Sequence, residues 1–187
     1  IDTVGLRPVM QELGRNTTLT SLTFRNSRLN HESVQQLKAV LRQSTALQHL
    51  VLSGNNLMGA GMAEIAQALY RNTSIKSLDL SDNSLHDIKS AHVLREVIRC
   101  NDTITSLCLA DSTFGGNSTA ARTILEVLYS NAALQQLDLG SCSLDDHGIF
   151  ILANALAIRN ASILELNLRW NDITSVGVRA LVDDNVE

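Results

Sequence analysis

The chain has 187 residues, with 15 Lys and Arg against 19 Asp and Glu, and this net charge of −4 offers no basic footprint for a phosphate backbone or an anionic membrane surface. Hydrophobic residues make up 44% and charged residues 18%, which excludes a disordered chain, and the length is sufficient to bury a core. Leu fills 30 positions and Asn 15, whereas Pro8 is the only proline, a skew that points to an internal repeat.

The first predicted element is a helix within residues 1–16, carrying the apolar pair Val9/Leu13 at helical spacing with Pro8 in its first turn. No basic stretch followed by an apolar run precedes it, and nowhere do 18 apolar residues run together. Neither a signal peptide nor a membrane span is expected.

From residue 17 to residue 174 the pattern Leu-x-x-Leu-x-Leu-x-x-Asn-x-Leu recurs six times, with Ile or Phe in place of Leu and Ser or Cys in place of Asn. The first copy, Leu19, Leu22, Phe24, Ser27 and Leu29, is followed by the helical pair Leu37/Leu41. The second, Leu47, Leu50, Leu52, Asn55 and Leu57, precedes Ile65/Leu69. The third, Ile75, Leu78, Leu80, Asn83 and Leu85, precedes Leu94/Ile98. The fourth, Ile104, Leu107, Leu109, Ser112 and Phe114, is followed by Gly115, Gly116 and Asn117 and then by Ile124/Leu128. The fifth, Leu134, Leu137, Leu139, Cys142 and Leu144, precedes Ala153/Ala157. The sixth is Ile163, Leu166, Leu168, Asn171 and Ile173, and residues 175–187 form a last helix and the C-terminal end.

Leu-x-Leu alternation turns both leucines to one side of a short extended segment, and each apolar pair four apart specifies a helix. Three residues past each pair stands Asn16, Ser44, Asn72, Asn101, Asn131 or Asn160, expected to close its helix as a left-handed cap. One unit of about 28 residues buries some five side chains worth ~2 kcal/mol each, far less than the cost of ordering its backbone. The units must therefore stack. The predicted fold class is an α/β solenoid, a horseshoe segment of six strand-turn-helix repeats with a parallel sheet on the concave side and helices on the convex side. Strands pack closer than helices, and that sets the curvature.

The repeat, and the stretch Leu57, Gly61, Ile65, Leu69, Asn72 in particular, resembles leucine-rich-repeat proteins of the ribonuclease-inhibitor-like class. That resemblance implies an intracellular, non-enzymatic scaffold that binds a protein partner. Its members also imply two alternatives, a GTPase-activating protein like the Ran activator and the sensor or autoinhibitory region of a NOD-like receptor. Ribonuclease inhibitor itself is cysteine-rich and this chain is not, so that activity is not carried over.

Cys100, Cys108 and Cys142 are odd in number and lack metal-ligand spacing, so they read as reduced thiols of an intracellular, cytoplasmic protein. Cys142 takes the repeat's Asn position and is expected to bond the turn backbone, and Cys108 should face the concave side without a basic neighbour to activate it. Asp145, Asp146 and His147, like His86 and Asp87, fall where a convex helix starts, and carboxylates there cap helices more often than they bind metal. No cofactor motif and no metal site is expected. Five Asn-x-Ser/Thr sequons occur, at Asn16, Asn72, Asn101, Asn117 and Asn160, four of them at one phase of the repeat, so repeat chemistry accounts for them.

The concave positions carry the candidate binding surface: His49, Asp79, Asp82, Asp111, Asp138, Glu165, Arg169 and Trp170. Four aspartates gather in the middle repeats beside an aromatic and basic edge, which predicts a protein partner with a basic patch and Trp170 as an anchor. The array opens inside a helix and closes soon after Leu181 in Asp183, Asp184, Asn185, Val186 and Glu187. It reads as one array over residues 1–187, more in the manner of a segment of a longer protein than of a capped small one.

Overall fold

A computed structural model describes residues 3–57, 59–114, 118–158 and 162–182. In chain order the elements are α1 (Thr3–Arg15), β1 (Ser21–Thr23), α2 (His31–Gln43), β2 (His49–Val51), α3 (Gly59–Leu69), β3 (Ser77–Asp79), α4 (Ile88–Cys100), β4 (Ser106–Cys108), α5 (Ser118–Leu125), β5 (Gln136–Asp138), α6 (Asp146–Ile158), β6 (Glu165–Asn167) and α7 (Ser175–Val182). The six strands form one parallel sheet in sequence order, and each helix packs on the next. This is the expected solenoid. Leu22, Leu50, Leu78, Leu107, Leu137 and Leu166 stand opposite one another across the sheet and point inward, where the helix residues Leu37, Ile65, Leu94 and Ile124 meet them. No helix among the described residues is long and apolar enough to cross a membrane.

Side-chain amides hold the turns. The Oδ1 of Asn55 accepts from the backbone N–H groups of Ser27 (3.0 Å) and Leu29 (3.4 Å) in the preceding repeat, while its Nδ2 donates to Leu52 O (2.9 Å), Ser53 O (3.1 Å) and Phe24 O. Asn83 does the same one repeat later, and Asn171 does it for Cys142 N (3.0 Å) and Leu144 N (2.9 Å). Cys142 lacks the amide oxygen, and its Sγ donates to Leu109 O at 3.2 Å. Its expected structural role is what the structure shows.

The residues expected as left-handed caps behave otherwise. Ser44 (φ −71°) and Asn101 (φ −101°) are extended, and Asn16, Asn72 and Asn131 do not have positive φ. Each asparagine uses Oδ1 to receive the backbone N–H groups two and three residues ahead, as Asn101 does from Thr103 (2.9 Å) and Ile104 (2.9 Å). Its Nδ2 reaches back one repeat, from Asn72 to Leu41 O (2.7 Å), from Asn101 to Leu69 O (2.8 Å) and from Asn131 to Ile98 O (2.6 Å). A left-handed cap would satisfy one helix, whereas this geometry satisfies a strand entrance and the preceding helix end together. It makes a second asparagine spine on the far side of the core. It also buries the sequon asparagines Asn72 and Asn101, whereas Asn16 is exposed and Asn117 and Asn160 lie outside the described residues.

Three further expectations are corrected. Pro8 sits inside α1, beyond its first turn, because the helix starts at Thr3. In that helix Met10 is the buried side chain and Val9 is exposed, since α1 has only α2 to pack on. In α6 the larger Ile149 and Leu152 fill the interior, Leu156 packs beside them, and Ala157 is exposed. The fourth repeat, 30 residues long by its first positions 104 and 134, continues α5 as a 3-10 turn over Glu126–Tyr129, while Gly115, Gly116 and Asn117 lie outside the described residues, as do 183–187.

Candidate concave binding face

Register places the candidate residues in rows across the sheet. Ser21, His49, Ser77, Ser106, Gln136 and Glu165 form one row, in which His49 and Glu165 are exposed and Gln136 donates to Glu165 at 3.0 Å. Thr23, Val51, Asp79, Cys108, Asp138 and Asn167 form the next, so two carboxylates flank one thiol at strand spacings of about 4.8 Å.

Asp79 and Asp138 are half-buried and partly committed. Asp79 accepts from Ser81 N (2.9 Å) and Ser81 Oγ (2.6 Å) and pairs with Arg25 at 3.4 Å, and Asp138 accepts from Gly140 N (2.9 Å) and Asn167 Nδ2 (2.9 Å). Both carboxylates thus shape the turn that leaves their strand. Asp82 and Asp111 are exposed, and their side chains accept no hydrogen bond among the described residues. Ser53, Ala110 and Gly140, which alternation puts on the open face, are instead buried. Arg25 lies over Ser53, donating to its hydroxyl at 2.9 Å, and a Cβ added to Gly140 would stand 3.2 Å from Arg169 Cγ.

The residue after each of these positions turns the chain through positive φ: Asn26 (51°), Gly54 (67°), Asp82 (51°), Asp111 (57°), Ser141 (54°) and Trp170 (56°). Gly, Asn and Asp accept that conformation readily, so backbone geometry by itself accounts for Asp82 and Asp111. Ser141 and Trp170 depart from that set, and of the two Trp170 is the bulky one. A bulky side chain in the left-handed region is strained, and this one is 82% exposed, so its own packing does not repay the strain. We expect Trp170→Gly to raise stability by about 1 kcal/mol, seen as a higher Tm of a few degrees, while weakening partner binding.

Near neutral pH Cys108 is held as the unreactive thiol. Burial, reinforced by the charges of Asp79 and Asp138, pushes its thiol up to about 11, and burial pushes Cys142 up to about 12. The thiolate is the reactive form, so alkylation of Cys108 by iodoacetamide, followed by mass spectrometry, should speed up about tenfold per pH unit from 7 to 10. The three cysteines are free thiols.

The acidic clusters at helix starts act as caps. Asp145 accepts from Gly148 N (2.9 Å), and Asp87 accepts from Ser90 N (2.9 Å). Asp146 reaches across to the next repeat, receiving Thr174 N (2.8 Å), Thr174 Oγ1 (2.6 Å) and Gly177 N (3.0 Å), and the bonds from Thr174 hold its carboxyl below the usual range. Asp87 is also held low: burial raises it, and the hydrogen bonds from Ser90 outweigh that.

The family model that matches is the Leucine Rich repeat, at residues 43–66, 71–88 and 159–182. No curated protein sequence matches the chain. Among the solved structures similar in fold are the following three. Leiomodin-1 Actin-Binding Site 2 is 18% identical over 81% of this chain and 87% of its own, with a TM-score of 0.68. The tropomodulin C-terminal domain of Caenorhabditis elegans is 14% identical over 83% and 92%, at 0.64. The leucine-rich repeat-containing protein LegL7 from Legionella pneumophila is 23% identical over 86% of this chain, which spans 51% of LegL7, at 0.65. Six register-matched strand-turn-helix units, with the repeat model matching three stretches of the array, give this chain a leucine-rich-repeat solenoid fold.

Proposed function

We propose that the chain is a single-array, intracellular, non-enzymatic scaffold of the ribonuclease-inhibitor-like class whose concave face binds a protein partner through a basic patch on that partner. The observation that carries this reading is the exposed, strained Trp170 on the same face of the array as the carboxylates Asp79, Asp82, Asp111, Asp138 and Glu165. Trp and Arg are the side chains most enriched at binding hot spots, and Arg169 adjoins Trp170. His49 extends the surface toward the N-terminal repeats.

Actin is the first defined partner to try, because Leiomodin-1 Actin-Binding Site 2 has this fold. Immobilised wild-type chain and an Asp79→Lys, Asp138→Lys, Trp170→Ala variant, shown folded by circular dichroism, are compared for capture of purified actin and of proteins from whole-cell extract. A protein held by the wild type and lost by the variant supports the reading, and identical capture overturns it. GTP hydrolysis by small GTPases stays unchanged when the chain is added, whereas a GTPase activator would raise it.

A further inference from the structure

The asparagine spine that fixes the turns is interrupted in the middle of the array. Asn55 Oδ1 ties the first repeat to the second and Asn83 Oδ1 the second to the third, each by taking two backbone N–H groups of the repeat before it, and Asn171 Oδ1 ties the fifth to the sixth in the same way. The fourth and fifth repeats carry Ser112 and Cys142 at that position. Ser112 Oγ donates to Ala110 O (3.3 Å) within its own turn, Cys142 Sγ donates to Leu109 O, and neither brings an amide oxygen to the preceding repeat.

Backbone donors are left over as a result. Asn83 N and Phe114 N belong to buried residues and find no acceptor among the described residues, Leu85 N turns back on Asn83 O (2.9 Å), and Ser112 N meets the sulfur of Cys142, a weak acceptor. Buried N–H groups without an acceptor are rare in folded proteins, so two of them at successive repeat boundaries single the region out.

The helix of the same repeat is also irregular. α5 keeps α geometry for 8 residues before tightening into the 3-10 turn Glu126–Tyr129, whereas α4 and α6 on either side run for 13. Such a change within a helical segment marks hinges. The far side of the core, by contrast, is bonded as elsewhere. Asn101 and Asn131 reach Leu69 O and Ile98 O, Thr105 N donates to Lys76 O (2.9 Å), and Gln135 N donates to Thr105 O (2.8 Å).

We propose that the array is jointed at its fourth repeat: the rim of turns opens locally between Asp82, Asp111 and Ser141 while the far side of the core stays closed and acts as the hinge. In the closed state the rim is held by backbone bonds alike at every boundary, from Gly54 N to Ser81 O (3.0 Å), from Asp82 N to Ala110 O (2.8 Å) and from Asp111 N to Gly140 O (2.9 Å). Only the first of these three boundaries is backed by an asparagine of the spine, Asn83. Opening at the other two changes the spacing of the carboxylates of Asp82 and Asp111 on the rim.

Hydrogen exchange of the full chain, followed amide by amide by NMR, tests this. Relative to their intrinsic rates, Asp82 N–H and Asp111 N–H should exchange about tenfold faster than Gly54 N–H or more, although all three make the same bond, while Thr105 and Gln135 N–H should be as protected as Lys76 N–H on the same far side. Ser112→Asn should slow Asp82, and Cys142→Asn should slow Asp111, each toward the rate of Gly54. Asn83→Ser moves the gap one boundary back and should speed Gly54 relative to Lys76. Circular dichroism checks that each variant is folded. Equal protection of Gly54, Asp82 and Asp111 overturns the proposal, as does equally fast exchange at Thr105 and Gln135, or rates at Asp82, Asp111 and Gly54 that the folded variants leave unchanged.

Discussion

Replacing Asn83 with alanine lowers the stability of the folded chain by about 3–5 kcal/mol and its Tm by about 6–20 °C. The buried carboxamide donates to Leu52 O (3.0 Å), Leu80 O (2.9 Å) and Ser81 O (3.1 Å), and accepts from Asn55 N (3.3 Å) and Leu57 N (2.9 Å). Each such bond is worth about 1 kcal/mol net, and alanine leaves Leu80 O, Asn55 N and Leu57 N buried without a partner, whereas Leu52 O and Ser81 O keep the bonds from Asn55 Nδ2 and Gly54 N. Because two consecutive turns share this side chain, the loss also weakens the coupling of the N-terminal repeats to the rest, and stability in a stacked array depends on that coupling. Ser112 and Cys142 show that the position tolerates a donor without an amide acceptor, so Asn83→Cys should cost less than Asn83→Ala. Asp82→Ala, one residue away on the exposed side, changes stability by under about 1 kcal/mol. Thermal and urea melts followed by circular dichroism decide the matter, and an Asn83→Ala melt within 1 kcal/mol of wild type would mean the spine is not what fixes the turns.

The second large effect is on binding. Reversing Asp79 and Asp138 to lysine and truncating Trp170 should weaken the concave-face complex by more than 100-fold, on the order of 3 kcal/mol or more. The two lysines meet a basic partner with like charge, and the missing indole removes the anchor. Wild-type affinity should fall as salt rises, and that slope should flatten in the variant. The fold survives because Asp79 and Asp138 face outward from the core, although Asp79→Lys also releases Arg25 from its 3.4 Å pairing and Asp138→Lys frees the Asn167 amide. Isothermal titration at two salt concentrations, with the partner that the wild type captures, provides the comparison.

The repeat was legible because its signal is redundant. Leu50, Leu78 and Leu107 each report the same inward register, so no single substitution hides it, and the same redundancy aligned the concave rows correctly. What alternation misjudged lies beyond the strands. Ser53 and Gly140 are covered because Arg25 and Arg169 lie across them, an interaction between repeats that a one-repeat pattern does not contain. Asn101 was misread for a related reason: its sequence neighbours suggest a cap, but its Nδ2 partner, Leu69, is 32 residues away. A signal for this was present, since an asparagine needed only for positive φ would exchange freely with glycine, and no glycine occupies that phase in any repeat. The exposure of Tyr70 had no sequence signal at all, because Tyr129 stands at the same phase and packs inward.

Trp170 is the only tryptophan in the chain and is exposed at the edge of the concave face, so its emission reports on that face alone. The most direct measurement is a titration with the captured partner, or with actin if actin binds, that follows Trp170 fluorescence alongside an independent sedimentation assay, using partner labelled or corrected for its own tryptophans. A saturable blue shift that tracks binding, and is reversed by salt together with binding, is the expected result. Binding that sediments normally while Trp170 emission stays that of a solvent-exposed indole would contradict the concave-face reading and place the contact elsewhere on the chain.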